Sequence, residues 1–327
     1  MDPAEPRPAL SFVVPVYNEE GNVGPLHAEL TEVAHATGRT YELVFVNDGS
    51  RDRTLERLIE IAERDPHLRV VELDGNFGEA SALSAGFATA RGEIVVTMDG
   101  DGQNDPHDTP KLLARLDEGF DAVSGRRAQR KEDFARRVLP SLVANRLIVL
   151  ATGVPAYDCG CGLKAYRRKL LQNVQLPRGF NRFLPAILGV DPKRVAEITT
   201  HDRPRGSGTS NYGLSRVAIV FRDLPSLPLL IRWGAPLGPL ANGLALTIAL
   251  LAVAALLGAA RGQVGFALVA TTLALVAWAA RYNVDRMARA RATGVFRVRR
   301  VHHVGTAAAD RDRGGGILGQ EPAPHVR

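Results

Sequence analysis

Two long stretches without a charge constrain what this chain can fold into more than any other feature. Residues 233–260 and 262–280 contain no Asp, Glu, Lys or Arg, are rich in Leu, Ala and Val, and are separated only by Arg261. About 20 apolar residues in a helix cross the hydrocarbon of a bilayer. The pattern therefore predicts two transmembrane helices within 236–282, joined by a short turn at Gly258 to Gln263. A buried helical hairpin is the alternative, but segments this long and apolar are uncommon in water. From Arg281 to His303 there are seven arginines and one acid, Asp285, an excess of six that equals the formal charge of the whole 327-residue chain. A basic segment beside a span marks the cytoplasmic side and favours anionic lipid. A two-span hairpin then puts the globular part and the C-terminal tail on that same side of the cytoplasmic membrane. Charge is balanced elsewhere, which argues against a nucleic-acid surface.

The globular part reads differently. Met1 to Ala9 is polar and proline-rich, predicting a flexible N-terminus rather than a secretory leader. Short apolar runs follow at Leu10 to Val16, Tyr41 to Asn47, Leu68 to Leu73, Ile94 to Met98 and Ala122 to Ser124, with helical segments between them. That alternation predicts an α/β fold, a doubly wound, mostly parallel sheet. Three of these runs end in polar residues: Tyr17 and Glu19, then Asp48, then Asp99 and Asp101. A parallel sheet gathers such positions along one rim, where ligands bind. Taken singly they have plain readings, Asp48 as a cap or turn residue and Glu19 as a first-turn acid. Five on one rim are harder to dismiss.

The stretch from Thr97 to Pro106 is the centre of this arrangement. Asp99 and Asp101, one residue apart between glycines, can offer oxygen ligands to Mg²⁺ or Mn²⁺, and Gln103 can add a neutral oxygen. Asp-Gly pairs are also ordinary turn formers, so the company they keep decides. No Walker loop or G-x-G-x-x-G element is present. Cys159 and Cys161 are too few for a disulfide framework or a four-ligand zinc site, and reduced thiols are expected.

Together, Pro15-Val16-Tyr17-Asn18-Glu19-Glu20, Val46-Asn47-Asp48-Gly49-Ser50, Asn76-Phe77-Gly78 and Met98-Asp99-Gly100-Asp101-Gly102-Gln103 resemble the successive motifs of family 2 inverting glycosyltransferases of the GT-A fold. The polyprenyl- or dolichyl-phosphate hexose synthases are the most similar group. The resemblance continues through Asp158 to Arg168 and Arg203 to Gly213, then into the two-span tail of bacterial members. It implies that Pro15, Tyr17, Glu19 and Asp48 hold the nucleotide base and ribose of a nucleotide-sugar donor. It implies that Asp99, Asp101 and Gln103 hold the metal on the diphosphate. Arg126 or Arg127, and Arg136 or Arg137, would face the acceptor phosphate, and Arg205 would reach a phosphate from a closing loop. This chain departs from the pattern at Glu79 and Asn211, where the family often has Lys.

The implied reaction moves a hexose, from UDP-glucose or GDP-mannose first of all, to polyprenyl phosphate. A phosphate acceptor is largely ionised near neutral pH, its second pKa being about 6, so Asp101 with Arg126 and Arg136 would carry the chemistry. A hydroxyl acceptor would need a base, for which Asp158 is the candidate. Two rivals remain at this stage: a polysaccharide synthase acting on a glycan hydroxyl, and a membrane-anchored binding protein without turnover. The expected layout is a catalytic domain over 10–213, interfacial amphipathic helices over 214–235, broken by Pro225 and Pro228, the spans at 236–282, and a basic juxtamembrane segment and disordered tail over 283–327. Homo-oligomerisation stays open.

Overall fold

The computed structural model describes residues 7–127, 146, 148–150, 153–154, 158–203, 222–223 and 237–304. Its core is an eight-stranded sheet in the order β7-β5-β6-β4-β1-β2-β3-β8. The first half alternates strictly: β1 (Leu10–Val16), α1 (Val23–Ala36), β2 (Tyr41–Asn47), α2 (Thr54–Ala62), β3 (Leu68–Leu73), α3 (Glu79–Thr89), β4 (Ile94–Thr97), α4 (Thr109–Asp117) and β5 (Ala122–Arg127). Then come β6 (Lys164–Arg167), β7 (Val195–Thr200), the long helices α5 (Leu237–Ala260) and α6 (Val264–Thr293), and β8 (Val298–His302).

Apolar residues on both faces of the strands explain the three layers. In β1, Val13 faces a core shared with α3, whereas Phe12 and Val14 face a second core filled by Leu26 and Leu30 of α1 and Leu112 and Leu116 of α4. The small residues of α3 let it approach the sheet closely. A Cβ at Gly86 would collide with Val13 and Val46.

β1 pairs in parallel with β2 and β4, and β2 with β3. β6 is antiparallel to both β4 and β5, so β5 runs in the same direction as β4, and β7 is parallel to β5. The C-terminal ends of β1 to β5 and β7 thus share one rim with the N-terminal end of β6. The five strands expected from the sequence are present. β6, β7 and β8 are additional: β6 is four residues with a basic residue at each end, and β8 carries two arginines, so neither reads as an apolar run.

The C-terminal region adds to the expected layout. Within the expected basic juxtamembrane segment, α6 continues to Thr293, Gly294 turns the chain at φ 74°, and β8 adds antiparallel to β3. Glu72 of β3 pairs with Arg299 at 3.2 Å and His302 at 3.0 Å, and Arg299 also reaches Asp74 at 2.8 Å. Several of the arginines are therefore partners of the sheet, Asp223 or backbone carbonyls. At the other end, Ala9 is not loose but donates to the Thr40 carbonyl at 2.9 Å. Of the expected interfacial segment 214–235, only Arg222 and Asp223 are described.

α5 and α6 form an antiparallel hairpin long and apolar enough to cross a membrane. Gly258 lets the helices meet, since a Cβ there would press on Phe266. Their outer faces are uncovered, with Leu246 63% and Leu256 71% exposed, unlike core helices of a soluble protein. Arg281 donates to the Ala241 carbonyl at 2.8 Å and ties the base of the hairpin together. Because one sheet contains strands from before and after the hairpin, both of its ends lie on the same side.

Replacing Glu72 with Ala is expected to lower stability by about 1–2 kcal/mol, read from the denaturation midpoint. β8 would loosen first, seen as faster amide exchange at 298–302 than in β1.

Candidate active site

At the shared rim, the loop after β4 carries Asp99 and Asp101. Gly100 allows it to approach the end of β1, where a Cβ would meet Val16 and the Pro15 carbonyl. Asp101 is buried and accepts the Gln103 N–H at 3.0 Å, with Gly102 in the left-handed region at φ 74°. Asn104, which sequence reasoning passed over, accepts the Asp99 N–H at 3.1 Å and bridges to Asp202. The Gln103 carbonyl accepts from the Arg203 N–H at 2.8 Å. The carboxylate loop is thus clamped by the segment after β7.

Asp99 rests against Gly162, where any Cβ would overlap its carboxylate. Its pKa is pushed up to about 8, first by desolvation and then by Glu79 and Asp101, against the relief given by Lys164 and Arg127. Lys164 is the second residue that sequence reasoning left without a role. It is buried at the start of β6 between Thr97 and Ser124, and donates to the Cys159 carbonyl at 3.3 Å. A lysine opening a short strand carries little sequence signal, because burial comes only from the neighbouring strands.

These residues fit a hard divalent cation. Two carboxylates face concentrated negative charge, and a glycine makes room for one of them. Among the described residues no three His, Cys, Asp or Glu side chains converge as a metal cage. The protein would supply part of the coordination, with the rest from substrate phosphates and water, which is how Mg²⁺ sites on phosphate substrates are built.

Of the residues expected to hold the nucleotide, Tyr17 is 38% exposed at the end of β1 and Pro15 is half-buried in it. The loops after β1 and β2 are laced together. Asn18 donates its N–H to Ser50 at 3.0 Å, Glu19 its N–H to Thr54 at 2.8 Å, and the Glu19 carboxylate accepts from Asn22 at 2.5 Å. Asp48 is buried and accepts the N–H groups of Phe77 at 2.7 Å and Gly78 at 2.8 Å. Burial raises its pKa despite these donors and nearby Arg178. Asp48 therefore shapes the start of α3 as well as lining the rim.

Of the residues expected to face the acceptor, Arg126 is exposed and Arg127 half-buried at the end of β5. Arg127 makes a bidentate pair with Asp158, Nε to Oδ2 at 2.8 Å and Nη2 to Oδ1 at 3.1 Å, and adds its backbone N–H at 3.3 Å. This pairing holds the Arg127 pKa above its ordinary value, although burial opposes it. Sequence reasoning had treated Arg127 and Asp158 as separate candidates, for acceptor phosphate and general base; the fold makes them partners. Arg136, Arg137, Arg205 and Asn211 lie outside the described residues. Cys159 and Cys161 are buried thiols that form no disulfide with each other, with pKa values raised to about 11 by burial.

Two expectations follow. Asp158→Asn leaves Arg127 facing a neutral partner and should cost about 3 kcal/mol of stability, measured by chemical denaturation. A residue acting only as a base would leave the midpoint in place. A proton and a cation also compete for Asp99. Because its folded pKa is raised, the proton is retained at neutral pH. Mn²⁺ affinity should rise by up to about tenfold per pH unit and level off above about 8. A flat profile in titration calorimetry would show that no proton leaves Asp99 when the cation binds.

Comparison with known proteins agrees with this geometry. Residues 11–175 match glycosyl transferase family 2. The dodecaprenyl-phosphate galacturonate synthase of Rhizobium johnstonii is 40% identical over 252 residues, 76% of this chain and 75% of that protein. The undecaprenyl-phosphate 4-deoxy-4-formamido-L-arabinose transferase of Shewanella sediminis is 37% identical over 66% of this chain and 65% of its own length. Among solved structures, glucosyl-3-phosphoglycerate synthase of Mycobacterium tuberculosis, crystallised with Mn²⁺, UDP-glucose and phosphoglyceric acid, superposes with a TM-score of 0.54. That likeness covers 70% of this chain and 81% of the other at 22% identity, and establishes the shared GT-A fold. With its motifs at the strand ends and the family match spanning the sheet that carries them, the chain belongs to glycosyl transferase family 2.

Proposed function

We propose that this glycosyltransferase moves a sugar from a nucleotide-sugar donor to polyprenyl phosphate at the cytoplasmic face of a membrane. The observation that carries this reading is the one rim bearing Asp99, Asp101, Arg126 and Arg127, on a sheet completed by a strand from beyond the apolar hairpin. That strand ties the rim to the base of two helices with lipid-like exposure. Relatives named for dodecaprenyl and undecaprenyl phosphate support the acceptor class. Their sugars differ from each other, so the donor is a question for a panel.

In this reading the acceptor phosphate oxygen attacks the anomeric carbon from the face opposite the diphosphate. The new C–O bond forms as the bond to the leaving diphosphate breaks, inverting the centre. Asp99, Asp101 and Gln103 would hold Mg²⁺ or Mn²⁺, which stabilises charge building on the diphosphate. Pro15, Tyr17, Glu19 and Asp48 line the base and ribose side. Arg126 presents a guanidinium to the acceptor, a geometry suited to phosphate, and Arg136, Arg137 and Arg205 are proposed to add phosphate contacts. An ionised phosphate needs no base, which agrees with Asp158 being engaged by Arg127. Arginines at the hairpin base favour the cytoplasmic side for the catalytic domain.

The experiment is transfer from radiolabelled UDP- and GDP-sugars to a short polyprenyl phosphate in detergent, with Mn²⁺ or with chelator. The panel includes glucose, mannose, galacturonate and formamidoarabinose donors. Metal-dependent label in an organic-extractable product is expected, reduced at least about a hundredfold in Asp101→Ala. Label only in water-soluble glycan would refute the acceptor, and nucleotide binding without transfer would point to a non-catalytic role.

A further inference from the structure

Residues 177–181 lie over the start of α3. Asn181 donates to the Glu79 carboxylate at 2.6 Å. The Arg178 side chain crosses Gly78 so closely that a Cβ there would lie 3.1 Å from its Nε and 3.2 Å from its Cγ. Gly78 itself has φ 93°, so both space and backbone favour glycine. The Arg178 guanidinium is near enough to Asp48 to favour its charged form. Yet among the described residues it makes no side-chain hydrogen bond and no ion pair. Its stem is seated and its head is exposed.

The backbone beneath it is held from an unexpected direction. The Arg178 carbonyl accepts from Arg286 Nη2 at 2.5 Å, and Arg286 belongs to α6, past its charge-free stretch. Arg286 lies over the Phe180 ring at 5.3 Å and stands 3.6 Å from buried Asp223. The loop over α3 is thus buttressed by the second apolar helix.

Glu79 is an acid where the family resemblance leads one to expect a lysine, and the Asn181 amide holds it at the start of α3. With Asp48 on one side and Glu79 and Asp99 on the other, this part of the rim would repel a diphosphate unless a cation lay between. Besides a divalent ion at Asp99 and Asp101 and the side chains of Lys164 and Arg127, Arg178 is such a cation, delivered from another loop. We propose that Arg178 binds the base-proximal phosphate of the donor's nucleoside diphosphate, and that Arg286 is the positioning residue that holds it there. This rests on the reading of Asp48 as the nucleoside side and Asp99 as the diphosphate side. A guanidinium can give two parallel hydrogen bonds to one phosphate. An arginine serving only as a solvated surface group has no need to be seated across a left-handed glycine and pinned from a second domain element.

The test uses the full chain in detergent with Mn²⁺. UDP, UMP and uridine, and the guanosine series, are titrated as competitors of a fluorescent nucleotide. Arg178→Ala, at an exposed position, should bind the preferred diphosphate and its monophosphate roughly tenfold more weakly, with the nucleoside unaffected. Arg178→Lys should recover part of the loss. Arg286→Ala should shift the same affinities in the same direction by less, and in the transfer assay both variants should raise the donor KM while the acceptor KM holds. Unchanged diphosphate affinity in Arg178→Ala would overturn the inference, as would an equal loss for the nucleoside. A wild type that binds nucleotide but makes no lipid-linked product refutes the acceptor assignment alone. A wild type that binds neither nucleotide series refutes both.

Discussion

Acidic side chains collected at one sheet edge set the terms for everything around them. Asp48, Asp99 and Asp101 come together because parallel strands all end there, and Glu79 joins them at the start of α3. Such a concentration of like charge is unfavourable by itself, and burial makes it more so. The surrounding fold answers with cations drawn from distant parts of the chain: Lys164 from an antiparallel strand wedged between β4 and β5, Arg127 from β5, Arg178 from the loop over α3. Backbone N–H groups contribute as well, two of them to Asp48. The remaining deficit is what suits the rim to a divalent ion and an arginine-rich set of phosphate contacts.

Packing follows from the same requirement. Gly86 and Gly100 bring backbone within reach of β1, and Gly162 leaves room for the Asp99 carboxylate. A side chain at any of them would push apart elements that must be close for the acids and their counter-charges to face one another. Asn104 and Arg203 then fix the carboxylate loop, with Arg203 bound to Glu29 at 2.8 Å and Asp105 at 2.7 Å. A guanidinium from the segment after β7 thereby braces the loop after β4 against α1.

The first five strands were legible because each is an apolar run flanked by a turn, and the rim acids because they follow those runs directly. β6 and β8 were not, since their residues read as charged; their place in the sheet comes from partners far away in the chain. The same holds for the site. Asp99 and Asp101 announce themselves by local spacing, whereas the Arg127–Asp158 pair joins residues 31 positions apart, and Lys164 is buried only by strands on either side. The basic run from Arg281 to His303 was legible only as charge. Arg299 and Arg286 also make contacts with acids and carbonyls of the globular part that no count of charges reveals.

The position of β8 bears on the order in which the molecule can be completed. The outer edge of β3 presents unpaired backbone groups until a strand encoded after both apolar helices comes back to cover it, and open edges invite pairing with other chains. During synthesis that edge stays bare while α5 and α6 are still leaving the ribosome. Only a chain whose hairpin has turned around and returned its C-terminal end to the starting side can close it. Sealing of the sheet is therefore a record that the two helices have paired as a hairpin, and a chain whose hairpin has not closed carries an exposed edge open to pairing with other chains.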